Sequence, residues 1–221
     1  MNKQKLWIFG DSFSIPWRFP TKNDKPPKLF TLSYVKWYFD NFGKMPIHFS
    51  DIISEYFGID ENNVINKSIY GSCNYTILQT IGNNISNISK DDIVVIGWSD
   101  VSRFRVFERY KNKTRYFINY PSYEPLSKDT KNQFVLRNNQ QSYNEIRSWQ
   151  NILKKTLPIS TIFWTPFSYN KKYNIPFLHF NKSFTNIEQE TNGEIVDSHY
   201  GSDVHQTIGK ELINQLNNNF I

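Results

Sequence analysis

Four short apolar runs, each closed by a small or turn-forming residue, constrain this chain most. They are Lys5–Phe9 (KLWIF), Asn63–Ile69 (NVINKSI), Asp92–Trp98 (DIVVIGW) and Ile159–Trp164 (ISTIFW). Continuous apolar runs of this length suit strands covered on both faces of a parallel sheet. The stretches between them have helical spacing. Ser50 can cap a helix in which Ile52, Ile53, Tyr56 and Phe57 share a face and Gly58 is the stop. A second helix is expected over residues 74–88, with Ile77, Ile81, Ile85 and Ile88 on one side. A third is expected over 143–157, on Ile146, Trp149, Ile152 and Leu153, and a last over 206–217, on Ile208, Leu212, Ile213 and Leu216. Strand–helix alternation of this kind predicts an α/β fold, a three-layer α/β/α sandwich around a mostly parallel central sheet.

Two segments break the alternation. Residues 14–47 hold Pro16, Pro20, Pro26, Pro27 and Pro46 and read as a long excursion after the first strand. Residues 101–140 read as an insertion after the third. Long excursions inside a compact α/β domain tend to be binding lids. With 221 residues, no internal repeat and no low-complexity linker, the chain reads as one domain over 1–221 carrying that insertion.

Composition enters mainly through what it excludes. The chain has no alanine and is rich in Lys, Asn and Ile, a bias in the direction of A/T-rich codons, so raw composition says little about fold. Its 18 Phe, 13 Tyr and 6 Trp bury large areas and rule out a disordered chain. A single cysteine, Cys73, excludes a disulfide framework and a cysteine-based zinc site and is expected as a small buried residue. His48, His179 and Asp100 make no metal-binding spacing, and no cofactor is expected. No apolar run approaches a membrane span or a signal-peptide core, so a cytoplasmic protein is expected, or one carried in a particle if the gene is phage-borne.

The net charge of +6 is local. Residues 101–148 hold ten Lys/Arg against four Asp/Glu, and the rest of the chain holds sixteen of each. In that segment cations interleave with aromatics from Arg103-Phe104-Arg105 onward. Such a surface suits an acidic polymer. No nucleic-acid recognition motif accompanies it, so nucleic acid is not the expected partner.

Ligands of open α/β sheets bind beyond the carboxyl ends of the strands. The first strand is followed by Gly10-Asp11-Ser12, the second by Gly71-Ser72-Cys73-Asn74, and the third by Ser99-Asp100. Asp197-Ser198-His199 and Asp203-Val204-His205 both precede or open the last helix. A hydroxyl, small residues with exposed N–H groups and a His beside an Asp are the parts of nucleophilic acyl transfer. Trp98 and Arg103, at and just past the third strand end, are candidate substrate contacts.

These blocks, in this order along the whole chain, resemble the SGNH (GDSL) hydrolase family. The first stands intact as Ile8-Phe9-Gly10-Asp11-Ser12, the second as Asn66 through Asn74, and the last as Asp197-Ser198-His199-Tyr200-Gly201. The third departs from the family's Gly-x-Asn-Asp and reads Gly97-Trp98-Ser99-Asp100, with Ser99 where an oxyanion-hole Asn is expected. The dyad spacing is also shortened, to Asp-x-His, as in the related proteins that O-acetylate alginate. The family's run of His, five residues, then His opening a helix matches His199 and His205, with Ile208 and Gly209 following.

The resemblance implies a flavodoxin-like fold, Ser12 as nucleophile, His199 as general base and Asp197 as its partner. It implies an oxyanion hole from the N–H groups of Ser12 and Gly71, joined by Ser99 or Asn74. The implied activity is serine ester hydrolysis removing a small acyl group, acetyl, from a carbohydrate or related polar substrate. An O-acyltransferase using the same site and a non-catalytic carbohydrate-binding module are the alternatives.

Overall fold

The computed structural model of the chain describes residues 4–16, 29–101, 105–110, 113–118, 139–166, 178–179, 186–195 and 199–219. The strands are β1 (Leu6–Phe9), β2 (Val64–Asn66), β3 (Ile93–Gly97), β4 (Arg105–Tyr110), β5 (Lys113–Ile118), β6 (Thr161–Thr165) and β7 (Leu178–His179). The helices are α1 (Leu29–Phe42), α2 (Phe49–Tyr56), α3 (Asn74–Gly82), α4 (Asn139–Thr156), the single turn α5 (Ile187–Glu190) and α6 (Ser202–Asn219). One sheet runs in the order β2-β1-β3-β6-β7, and each of its pairings is parallel. Its five strands taken in chain order read 2-1-3-4-5, the flavodoxin-like doubly wound arrangement.

Side-chain alternation divides the sheet's two faces. Trp7, Phe9, Val94, Ile96 and Phe163 pack with Ile77 and Ile81 of α3 and with Tyr143, Ile146 and Leu153 of α4. Leu6, Ile8, Ile93, Val95, Ile162 and Trp164 pack with Phe49 and Ile53 of α2 and with Ile208, Leu212 and Leu216 of α6. Every residue of β1 and β3 other than Trp7, which is 3% exposed, is fully buried or nearly so. The result is the expected α/β/α sandwich, with each large aliphatic side chain contributing about 1.5–3 kcal/mol on burial.

At the amino-terminal edge Asp92 fastens the two central strands. Its buried carboxylate accepts from Trp7 Nε1, Lys5 N and Ser89 N, each at 2.9 Å. The opposite edge is left for the loops that carry polar groups.

Several expectations shift. Helix α2 is capped by His48 and not by Ser50. The His48 ring accepts from Ser50 N at 3.2 Å, while Asp51 accepts from His48 N at 2.9 Å, a capping box that starts the helix earlier. Helix α3 ends at Gly82, and Ile85–Asn87 forms a separate 3-10 turn, because Gly82-Asn83-Asn84 are poor helix interior residues. The proline-rich excursion contains α1, whose Tyr34, Val35 and Tyr38 form a third small core with Ile187 and Ile195. The basic insertion contains the antiparallel pair β4–β5, with Phe107 opposite Tyr116. Residues 119–138 of it lie outside the described residues. Gly209 lacks a Cβ for a packing reason, since one would meet Ile52 Cβ at 2.7 Å where α2 crosses α6. No helix among the described residues is long and apolar enough to cross a membrane.

One core position breaks the apolar pattern. Gln150 lies on the face of α4 that carries Tyr143, Ile146 and Leu153, is 1% exposed, and neither its Oε1 nor its Nε2 has a hydrogen-bond partner among the described residues. Burying an unpartnered amide costs about 1–3 kcal/mol. Gln150→Met should therefore raise the unfolding free energy by about 1–3 kcal/mol in urea titrations, and an unchanged or lower value would contradict this reading.

Candidate active site

The site forms where β1 stops. Gly10 and Gly97 leave space for the Ser14 side chain between the ends of β1 and β3; a Cβ on Gly97 would approach Ser14 Oγ to 2.5 Å. That space lets the chain turn sharply. Asp11 caps the 3-10 turn Ser12–Ser14, its Oδ1 accepting from Phe13 N at 3.1 Å. Asn66, the last residue of β2, donates from Nδ2 to Ser14 O at 2.7 Å and braces the same turn from the neighbouring strand. The ladder continues past β2, with Ile69 N donating to Gly10 O at 3.0 Å, so the Tyr70-Gly71 turn stands beside the Ser12 turn. Gly71 needs to be glycine because its φ is +67°. The N–H groups of Ser12 and Gly71 donate to no acceptor among the described residues.

One contact at this edge spans almost the whole chain. His199 Nε2 and Ser12 Oγ lie 2.7 Å apart. Ile187 N donates to His199 O at 2.8 Å, and the Phe13 ring rests against the imidazole at 4.6 Å between centroids. Tyr200 packs edge-on to Phe13 and donates from its hydroxyl to Pro166 O at 2.8 Å. The His199 backbone is thus held by Ile187, and its imidazole is backed by Phe13, which Tyr200 supports in turn. For the Ser12 hydroxyl to donate to Nε2, the ring proton must sit on Nδ1. Asp197, expected to hold that proton, lies outside the described residues, as does Arg103.

The second histidine is placed differently. His205, 1% exposed, packs its ring against His48 and Phe49. Burial, with the neighbouring His199 adding to it, lowers its pKa from 6.5 to about 3. So weak a base is poorly matched to proton abstraction near neutral pH.

Ser99 and Asn74 are brought together and hydrogen-bonded to each other. The Ser99 hydroxyl donates to Asp11 Oδ2 at 2.8 Å. The Asn74 carboxamide accepts from Ser99 N at 2.7 Å and donates to Ser99 O at 2.9 Å. Both residues are buried, and together they tie the loop after β3 to the start of α3 and to the Asp11–Ser12 turn. Against the expectation of a side-chain oxyanion donor, the Ser99 hydroxyl proton goes to Asp11 and one Asn74 N–H goes to Ser99 O. Trp98 is also corrected. Its ring has no exposed surface and stacks on Phe163 with planes 2° apart, so it is core and cannot meet a sugar. Cys73 is buried, with Sγ 3.4 Å from Thr76 Oγ1. The brace through Asp11, and the bracing by Asn66, escaped the sequence reading. The adjacency of Asp11 to Ser12 marked the spot, but nothing in the spacing joins residues 11, 66, 74 and 99. Among the described residues no cluster of three or more metal-ligating side chains occurs.

Ser99→Ala separates brace from oxyanion donor. It should lower stability by about 1–3 kcal/mol, because a buried Asp11 oxygen loses its donor. It should lower kcat by much less than the roughly 10²–10³-fold that losing an oxyanion donor costs. Thermal melts together with steady-state kinetics read both, and a large kcat loss without destabilisation would contradict the assignment.

No family model matches the chain, and no curated protein does. Among solved structures it is similar to a lipase/acylhydrolase from Enterococcus faecalis, at 12% identity and a TM-score of 0.39, covering 97% of this chain and 95% of that one. It is also similar to a putative GDSL-like lipase from Parabacteroides merdae ATCC 43184, at 11% identity and a TM-score of 0.35, covering 98% of this chain and 77% of that one. Both values are low, and the chemistry is carried by this chain's own residues. In motif order and in the placement of those motifs at the strand ends, the chain resembles the SGNH/GDSL hydrolases.

Proposed function

We propose that the chain is a serine esterase that removes a small acyl group, acetyl, from a carbohydrate or related polar substrate. The observation that carries this reading is the 2.7 Å contact between Ser12 Oγ and His199 Nε2 beside a glycine turn at the carboxyl edge of a parallel sheet. Ser12 Oγ attacks the ester carbonyl carbon as its proton passes to His199 Nε2. The carbonyl oxygen becomes an oxyanion that the N–H groups of Ser12 and Gly71 receive. Collapse breaks the bond to the sugar oxygen, which takes the proton from His199 and leaves an acyl-Ser12. Water, deprotonated by His199, then releases the acid and restores the hydroxyl. Asp197 would hold Nδ1–H and stabilise the imidazolium.

The sugar end of the proposal rests on charge. The +6 of residues 101–148 follows directly on β3 and suits a polar, acidic glycan. Ser99 in place of a side-chain donor favours one second reading, a glycan-binding module with little or no turnover.

A fluorophosphonate probe and an aryl acetate separate the two. Wild type should label at Ser12 and hydrolyse the ester, with Ser12→Ala and His199→Ala reduced by at least about 10³-fold. Turnover of wild type no higher than that of Ser12→Ala would defeat the esterase reading in favour of the binding module. Transfer of acetyl to an added sugar in preference to water would reassign the enzyme as an O-acyltransferase.

A further inference from the structure

A second hydrogen-bonded chain holds the His199 loop, and the acyl-transfer steps do not use it. Tyr34, on α1, is fully buried. Its hydroxyl lies 3.1 and 3.0 Å from the two carboxylate oxygens of Glu190 and accepts from Ser202 N at 2.8 Å. Ser202 opens α6 three residues after His199, and its own hydroxyl accepts from Ile47 N at 2.8 Å. Glu190 closes α5, the turn whose first residue, Ile187, donates to His199 O. Tyr34 and Glu190 therefore grip the loop at both ends. Gly201 completes the fit, because a Cβ there would collide with the Glu190 carboxylate.

We propose that Tyr34 and Glu190 are positioning residues for His199, fixing residues 199–202 so that Nε2 stays within hydrogen-bond reach of Ser12 Oγ. This rests on the esterase reading for its kinetic consequence, though not for its geometry. The order of donors explains why a carboxylate is used. A tyrosine hydroxyl has one proton, and an ionised carboxylate only accepts, so the proton is drawn to Glu190 and the lone pairs are left for Ser202 N–H. A carboxamide in the same place can donate, which lets the hydroxyl turn its proton toward Ser202 and loosens the grip. Burial first, and the nearby Asp203 charge as well, raise the Glu190 pKa above its usual value, with the Tyr34 hydrogen bond opposing them. A carboxyl whose pKa rises on folding loses stability as pH rises through that folded value, so the ionised form is held at a cost.

The test compares Tyr34→Phe, Glu190→Gln and a control, Tyr38→Phe, by aryl-acetate kinetics, thermal melts and the imidazole ¹⁵N signals of His199. Tyr38 is buried in the same small core, its ring 5.9 Å from that of Tyr34, and lies outside the hydrogen-bonded chain. Expected are a fall in kcat of about 10- to 100-fold in Tyr34→Phe with KM nearly unchanged. Glu190→Gln should lower kcat without lowering the melting temperature, both variants should shift the His199 signals, and Tyr38→Phe should do none of this. Wild-type kcat and unmoved His199 signals in Glu190→Gln would overturn the proposal, even if Tyr34→Phe fails to fold. If wild type turns over no ester but the His199 signals still shift in the variants, the positioning role stands and the esterase reading falls.

Discussion

Parallel pairing of β1 on both edges, with both faces buried, is the constraint from which the rest follows. β2 and β3 hold its backbone groups, two layers of helices cover its side chains, and Asp92 closes its amino-terminal end with three hydrogen bonds. A strand so enclosed can present chemistry only where it stops. Gly10, Asp11 and Ser12 stand at that stop, and the ends of β2 and β3 bring Gly71 and Ser99 alongside. The sheet thereby converts a spacing of tens of residues into a single edge, and α6 returns the chain's last segment to it with His199.

Rigidity at that edge comes from polar braces more than from apolar packing. Asp11 holds Phe13 N and the Ser99 hydroxyl, Asn74 holds both peptide groups of Ser99, and Asn66 holds Ser14 O. Each bond is buried or partly buried, and a buried polar group left without its partner costs about 1–3 kcal/mol, so each member keeps its neighbours in place. The Tyr34–Glu190 chain does the same for the histidine. In the proposed esterase, an oxyanion held by backbone N–H groups of Ser12 and Gly71 would depend on such fixed geometry.

The layered fold was legible because its signals are local. Each of the four apolar runs contains a strand of the parallel sheet, and the Gly-Asp-Ser, Gly71 and His199 blocks stand next to strand or helix ends as their neighbours imply. What stayed hidden depends on contacts across the chain. Helix α1 was masked by the prolines around it, and its meaning lies in Tyr34 meeting Glu190, 156 positions away. Ser99 reads as an oxyanion donor from its place in the motif, and only the proximity of Asp11 turns its hydroxyl inward. Trp98 ends an apolar run, where a ring is equally suited to cleft or core, and its stacking on Phe163 decides for core. His48 caps α2 through a ring nitrogen, a cap type that residue preference ranks below Ser50 two positions on. The place of Gly209 in its motif says nothing of why it is glycine, and the crossing of α2 with α6 gives it a steric cause.

The central claim is that Ser12 is a nucleophile activated by His199. Trapping the acyl-enzyme tests it most directly: mix the protein with an aryl acetate, quench in acid within the first turnovers, and map the modified peptide by mass spectrometry. The account predicts one acetyl group, on Ser12, that accumulates in wild type and is missing from His199→Ala. Acetylation confined to lysines or to Cys73, or equal labelling of Ser12 with and without His199, would contradict it.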